Sequence, residues 1–174
     1  MMEVVGMGSR PQEGRKEGCF WCSVLAMKIM SWNVRGLGSF EKRREVRHLV
    51  REKKPFICCL QETKLSVFDF AVCKYLWGDE SVDFSFQPTL EASGGIVSMW
   101  DTNEVEVWSS ISFNHALVIL GHFVKTGEHF TVFNVYAPCD STRSGVWRNV
   151  VVLEIIFVKP EALITIFLLK ITCW

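Results

Sequence analysis

An α/β fold with a mixed sheet is predicted by three features of this 174-residue chain. First, the apolar run Lys28–Trp32, the helically spaced Phe40–Lys54 and the apolar run Phe56–Leu60 follow one another at the spacing of a strand–helix–strand crossover. Second, after Gly78 the pattern changes to short alternating segments joined by tight turns, which reads as a largely antiparallel meander. Third, three apolar runs each stop at polar residues: Ile29–Trp32 at Asn33, Phe56–Leu60 at Glu62, and Phe130–Phe133 at Asn134 and Tyr136. Ligands of α/β sheets bind beyond the strand ends, so these side chains can share one site.

Taken in order, residues 1–26 read as an irregular leader, rich in glycine and mixed charge up to Gly18. The short apolar run from Cys19 to Met27 follows Arg15 and Lys16. Glu3, Glu13 and Glu17, together with the lack of a small-residue cleavage site, argue against a signal peptide. A strand over Lys28–Trp32 ends at an Asn33 turn loosened by Gly36 and Gly38. In the helix that follows, Val46, Leu49 and Val50 recur on one face, and Pro55 stops it. The rest of that helix is basic, with Arg43, Arg44, Arg47 and Arg51 among its cations. It reads first as a solvated outer face and second as a phosphate-contacting one. Phe56–Leu60 is a second buried strand, and Leu65–Leu76 has the spacing of a short helix. Strands are then expected over Val82–Phe86, Gly95–Trp100, Val105–Trp108, Phe113–Val124 and Phe130–Tyr136, with Lys125-Thr126-Gly127-Glu128 as a hairpin turn.

Composition narrows the class. At 49% hydrophobic and 22% charged the chain is globular and not disordered, and its length allows one domain with a sizeable core. Net charge is zero, so any contact with nucleic acid must rest on local patches. The seven cysteines form no even framework. Cys58 and Cys59, inside an apolar strand, read as core thiols. Cys19 and Cys22 have C-x-x-C spacing without a second pair for zinc or the context for redox chemistry. A reducing, intracellular compartment, nuclear or cytoplasmic, is the expectation.

Residues 149–174 change character. Val150–Val158 and Leu163–Ile171 are almost wholly apolar, yet neither reaches the ~20 residues of a membrane helix. Joined, they would carry Glu154, Lys159, Pro160 and Glu161 into the bilayer, so no membrane partner is expected, with a membrane role for this apolar tail as the alternative. The segment reads as a β-prone, sticky tail outside the domain's pattern, as after a frameshift or read-through.

One carboxylate, one amide and one phenol suit a hard cation and a phosphate better than a thiol or carbonyl substrate. The motifs Ser31-Trp32-Asn33-Val34-Arg35-Gly36, Leu60-Gln61-Glu62-Thr63-Lys64, Ser93-Gly94-Gly95-Ile96 and Asn134-Val135-Tyr136-Ala137-Pro138, in this order, resemble the endonuclease/exonuclease/phosphatase family. The likeness is to apurinic-type endonuclease domains of plant LINE (non-LTR) retrotransposons and runs from about Met27 to about Trp147. It implies the N-terminal half of a four-layer, DNase-like α/β sandwich over residues 27–148, truncated, with a mixed and antiparallel sheet. It also implies that Glu62 binds Mg²⁺ or Mn²⁺, that Asn33 sits beside the metal and orients phosphate or metal-bound water, and that Tyr136 donates to the scissile phosphate of DNA. Arg35 and Lys64 become candidate phosphate contacts. Ser93-Gly94-Gly95 resembles a turn where backbone passes close to a neighbouring strand, and Asn134 supports its strand end. None of the four histidines is expected to be a ligand.

Two motifs of the resembling family are missing from the sequence. No Gly-Asp-x-Asn is present to activate water, and no Ser-Asp-His to supply a catalytic histidine. The expected function is therefore a partial metal-dependent endonuclease domain of retroelement origin, impaired in catalysis. The alternatives are a relic without activity and a fragment of a family phosphatase acting on a small phosphorylated substrate.

Overall fold

The computed structural model describes residues 19–24, 27–89, 94–137, 150–159 and 162–171. In chain order the elements are β1 (Cys19–Val24), β2 (Met27–Asn33), α1 (Phe40–Lys53), β3 (Ile57–Gln61), α2 (Phe70–Trp77), β4 (Val82–Gln87), β5 (Ile96–Asp101), β6 (Val105–Phe113), β7 (Ala116–Phe123), β8 (His129–Ala137), β9 (Val150–Lys159) and β10 (Ala162–Ile171). They form two five-stranded sheets, ordered β1-β2-β3-β5-β4 and β10-β9-β8-β7-β6. Only β2 and β3 run parallel; the other described pairs are antiparallel. The expected α/β class with a mixed and antiparallel sheet is what the chain adopts.

The crossover unit follows from local chemistry. Ser39 caps α1, its Oγ accepting from Lys42 N at 3.2 Å, and Val46 and Val50 turn inward. Lys54 ends the helix in a left-handed turn (φ 47°), with its N–H on Val50 O at 2.8 Å, and Pro55 follows. The chain returns as β3 in parallel register beside β2. Asp69 caps α2 through Val72 N at 2.8 Å, so the segment from Leu65 to Asp69 is a loop and not the first turn of a helix. The helices pack on each other where Arg47 donates to Tyr75 O at 2.7 Å and lies over its ring.

β3 is buried along its whole length, because the first sheet is covered on both faces. One core lies against the helices and includes Met30, Trp32, Val46, Leu60, Leu76 and Met99. The other lies between the sheets and includes Ile29, Ile57, Cys59, Ile119, Phe130 and Val132. Alternation along β2 and β3 assigns residues to these layers. Ile29, Ser31 and Asn33 share the inter-sheet side of β2, while Cys59 and Gln61 share that of β3.

Three stretches differ from their sequence expectation. β6 continues past Trp108 to Phe113, because a bulge between Val107 and Ser109 resets the alternation. The turn that follows holds Asn114 and His115, so His115 is not on a strand. Residues 19–24, inside the stretch expected to be irregular, form β1 against β2, while residues 1–18 lie outside the described residues. In the tail, β9 and β10 extend the second sheet from β8. Among the described residues no helix is long and apolar enough to cross a membrane.

Candidate active site

Where β3 ends, the backbone makes an unusual turn. Period-two alternation sends Leu60 to the helix side and Gln61 to the second sheet, so Glu62 would face the helices. Instead Glu62 takes a left-handed conformation (φ 55°) and also faces the second sheet. Its carboxylate Oε1 accepts the phenol proton of Tyr136 at 2.6 Å, across 74 residues of sequence. Glu62 is 9% exposed and Tyr136 3%, so this bond is largely shielded from water. A left-handed non-glycine residue costs about 1–2 kcal/mol. A charged hydrogen bond in a dry setting, worth ~1.5–3 kcal/mol, offsets that.

Asn33 closes β2 in register with Gln61 and is 8% exposed. Its Oδ1 accepts from Arg35 N at 3.2 Å, which folds the loop back over the strand end. The loops then pair beyond the strands: Gly36 N donates to Glu62 O at 2.7 Å, Leu37 N to Thr63 O at 2.8 Å and Thr63 N to Gly95 O at 3.0 Å. Arg35 and Lys64 are exposed on neighbouring loops, both with positive φ (53° and 56°). The Lys64 stem runs past Gly36, whose added Cβ would meet Lys64 Cδ at 3.8 Å.

The glycine turn is structural in the sense expected of it. A Cβ on Gly95 (φ +79°) would sit 2.5 Å from Thr63 Oγ1, so only glycine lets β5 start this close to the Glu62 loop. Ser93 lies outside the described residues, as does Pro138.

Of the expected residues, the fold thus brings Glu62 and Tyr136 into direct contact. It places Asn33 at the adjacent strand end and leaves Arg35 and Lys64 as exposed cations on the flanking loops. Sequence reasoning passed over Gln61, Ser31, Ser98 and Thr63, which form the buried polar layer beneath. The available signal was Gln61 itself, a wholly buried amide ending a strand that is otherwise apolar.

As a cation site the donors fit in kind. Glu62 Oε2 accepts no hydrogen bond among the described residues, and carboxylate with amide oxygen is the hard donor set that Mg²⁺ and Mn²⁺ take, with waters and phosphate completing the shell. Among the described residues no three His, Cys, Asp or Glu side chains cluster as a self-sufficient metal cage. The thiols do not contribute: burial pushes Cys59 and Cys73 up to about 12.

Fold and site define a two-sheet α/β protein with a strand-end carboxylate poised beside oxygen donors. The sequence profile of the Endonuclease/Exonuclease/phosphatase family matches residues 30–154, and the chain belongs to that family. The match runs past residue 148, where the domain was expected to end, into β9. Among solved structures, the chain is similar to the crystal structure of AP endonuclease LMAP from Leishmania major, at 19% identity and a TM-score of 0.49. That similarity covers 64% of this chain and 40% of that one, so the chain spans well under half the enzyme's length. No curated protein matches the chain.

Proposed function

We propose that the chain carries part of a divalent-metal-dependent phosphodiesterase domain that acts on DNA, of the kind found in LINE retroelements. The observation that carries this reading is the Tyr136–Glu62 bond, which engages one oxygen of a strand-end carboxylate, with Asn33 closing the neighbouring strand in register with Gln61. Glu62, with Asn33 beside it, would hold Mg²⁺ or Mn²⁺. Held there, such a cation would supply Lewis-acid polarisation of a phosphoryl oxygen and charge stabilisation for the leaving alkoxide. The Asn33 amide orients the phosphate, and Arg35 and Lys64 supply positive charge at the rim. Tyr136 has a single proton. While the phenol O–H donates to Glu62 it holds the carboxylate, and it becomes a donor to phosphate only when the hydroxyl turns away.

Hydrolysis also needs a base for the attacking water. The 174 residues hold neither Gly-Asp-x-Asn nor Ser-Asp-His, and a missing general base costs roughly 10²–10⁴-fold in rate. The chain by itself is therefore proposed to bind cation and DNA and to cleave slowly or not at all. The basic face of α1 favours a polyanion over a small phosphorylated substrate.

The test is a supercoiled-plasmid nicking assay with Mg²⁺, run beside Glu62→Ala and with EDTA, and paired with DNA binding by anisotropy across a salt series. Salt-sensitive DNA binding, with nicking that is weak and lost in Glu62→Ala, is expected. Folded protein that neither binds DNA nor hydrolyses it would refute the DNA reading.

A further inference from the structure

We propose that the buried amide pair Gln61–Asn134 positions Glu62: it sets the alignment of the two sheets where Glu62 meets Tyr136, and so fixes the carboxylate oxygen left for a cation. This rests on Glu62 being a metal carboxylate, the reading given above.

The pair lies directly beneath the site. Gln61 precedes Glu62 on β3, and Asn134 lies two residues before Tyr136 on the same face of β8. Both are fully buried, as is Ser98, and Ser31 is 4% exposed. Gln61 Nε2 donates to Asn134 Oδ1 at 2.6 Å and to Ser31 Oγ at 2.9 Å. Asn134 Nδ2 donates to Val97 O at 2.9 Å and to Ser98 Oγ at 3.1 Å. One network therefore joins β2, β3, β5 and β8, tying the first sheet to the second.

The orientation of each amide is forced. Val97 O is a backbone carbonyl and can only accept, so Asn134 must present its NH₂ there and its oxygen towards Gln61. Gln61 must then answer with its own NH₂, since a flipped amide would set oxygen against oxygen at 2.6 Å. That choice leaves Gln61 Oε1 buried with no partner among the described residues. An amide layer carrying an orphaned acceptor is a poor way to gain stability, because burying unpaired polar atoms is unfavourable. Apolar side chains of the same size would pack the layer as well. What they lack is direction: apolar faces slide over one another, whereas a network anchored on a backbone carbonyl has one register. One register is what a 2.6 Å bond between Tyr136 and a left-handed Glu62 requires. Gln61 and Asn134 touch neither phosphate nor cation in this account and act only through Glu62.

The experiment uses the full chain and the apolar pair Gln61→Met/Asn134→Leu. Two readouts are taken: Mn²⁺ affinity by calorimetry, and the slowly exchanging hydroxyl proton of Tyr136 by NMR. The protein has only two tyrosines, so Tyr75→Phe assigns that signal. The expected result is a folded protein of similar Tm that binds Mn²⁺ at least tenfold more weakly and loses the hydroxyl signal. The reversed pair Gln61→Asn/Asn134→Gln, which keeps both amides, is expected to recover both. If the apolar pair keeps wild-type affinity and signal, the positioning role is wrong. Should that pair not fold, Asn134→Thr, which retains a hydroxyl near Val97 O and breaks the link to Gln61, is read by the same criteria. Glu62→Gln tests the underlying reading. Where it leaves Mn²⁺ binding unchanged, or the wild type binds none, the metal assignment fails. The amide pair is then judged by the hydroxyl signal, whose persistence in the apolar pair overturns the proposal.

Discussion

Replacing Gly95 by alanine perturbs the site without touching a charged group, and its cost can be worked from two observations. The backbone there has φ +79°, a region that costs an L-residue about 1–2 kcal/mol. The new Cβ would lie 2.5 Å from Thr63 Oγ1 and 3.2 Å from Lys64 N, and overpacking of this kind costs a further ~1–3 kcal/mol. Gly95→Ala is therefore expected to destabilise by about 2–5 kcal/mol, or roughly 4–20 °C in Tm for a chain of this size. The steric part should depend on Thr63. Its Oγ1 is buried without a partner among the described residues, so Thr63→Ala gives up no hydrogen bond there and clears the space. In that background Gly95→Ala should cost the conformational share and the remaining tight approach to Lys64 N, giving a coupling of about 1–2 kcal/mol in a double-mutant cycle. Urea unfolding of the four proteins measures it, with unchanged m-values as the check that only stability moved. Equal costs in both backgrounds would refute the close-approach account and leave backbone conformation as the whole reason for glycine.

Three further outcomes are expected. Tyr136→Phe removes the donor from a carboxylate that is mostly shielded, which should cost about 1.5–3 kcal/mol by urea unfolding; no change in midpoint would mean that water replaces the phenol freely. Lys54→Gly relieves the left-handed end of α1 (φ 47°) and should stabilise by about 1 kcal/mol, seen as a rise in Tm of a few degrees. Cys59 and Cys73 are raised from an ordinary 9.0 to about 12 by burial, so the unfolded chain releases protons that the folded chain keeps. Stability is thus full below pH 9 and falls as pH climbs from 9 towards 12, and Cys59→Val should flatten that fall in an alkaline unfolding series.

The sequence revealed most where one element is decided by its own residues. The crossover unit was legible because its signals are local: Val46, Leu49 and Val50 at helical spacing and a proline after them. The bulge at Trp108 hid the second half of β6, because one extra residue inverts the alternation on which strand recognition rests. The site was legible only as three strand ends. That Glu62 meets Tyr136 depends on one left-handed residue overriding period-two alternation, and glutamate gives no sequence signal for that conformation as glycine or asparagine would. Nor is Glu62 alone: Arg35, Glu62 and Lys64, all charged and all on the loops around one strand junction, share positive φ of 53–56°. At about 1–2 kcal/mol each, glycine would relieve the strain at all three positions. At Glu62 the bond from Tyr136 offsets that cost, so the strain is held by the contact that defines the site. Under the proposed function, charged side chains on the loops around these strand ends are what a bound cation and a phosphate would require, and the strained backbone there is consistent with that requirement.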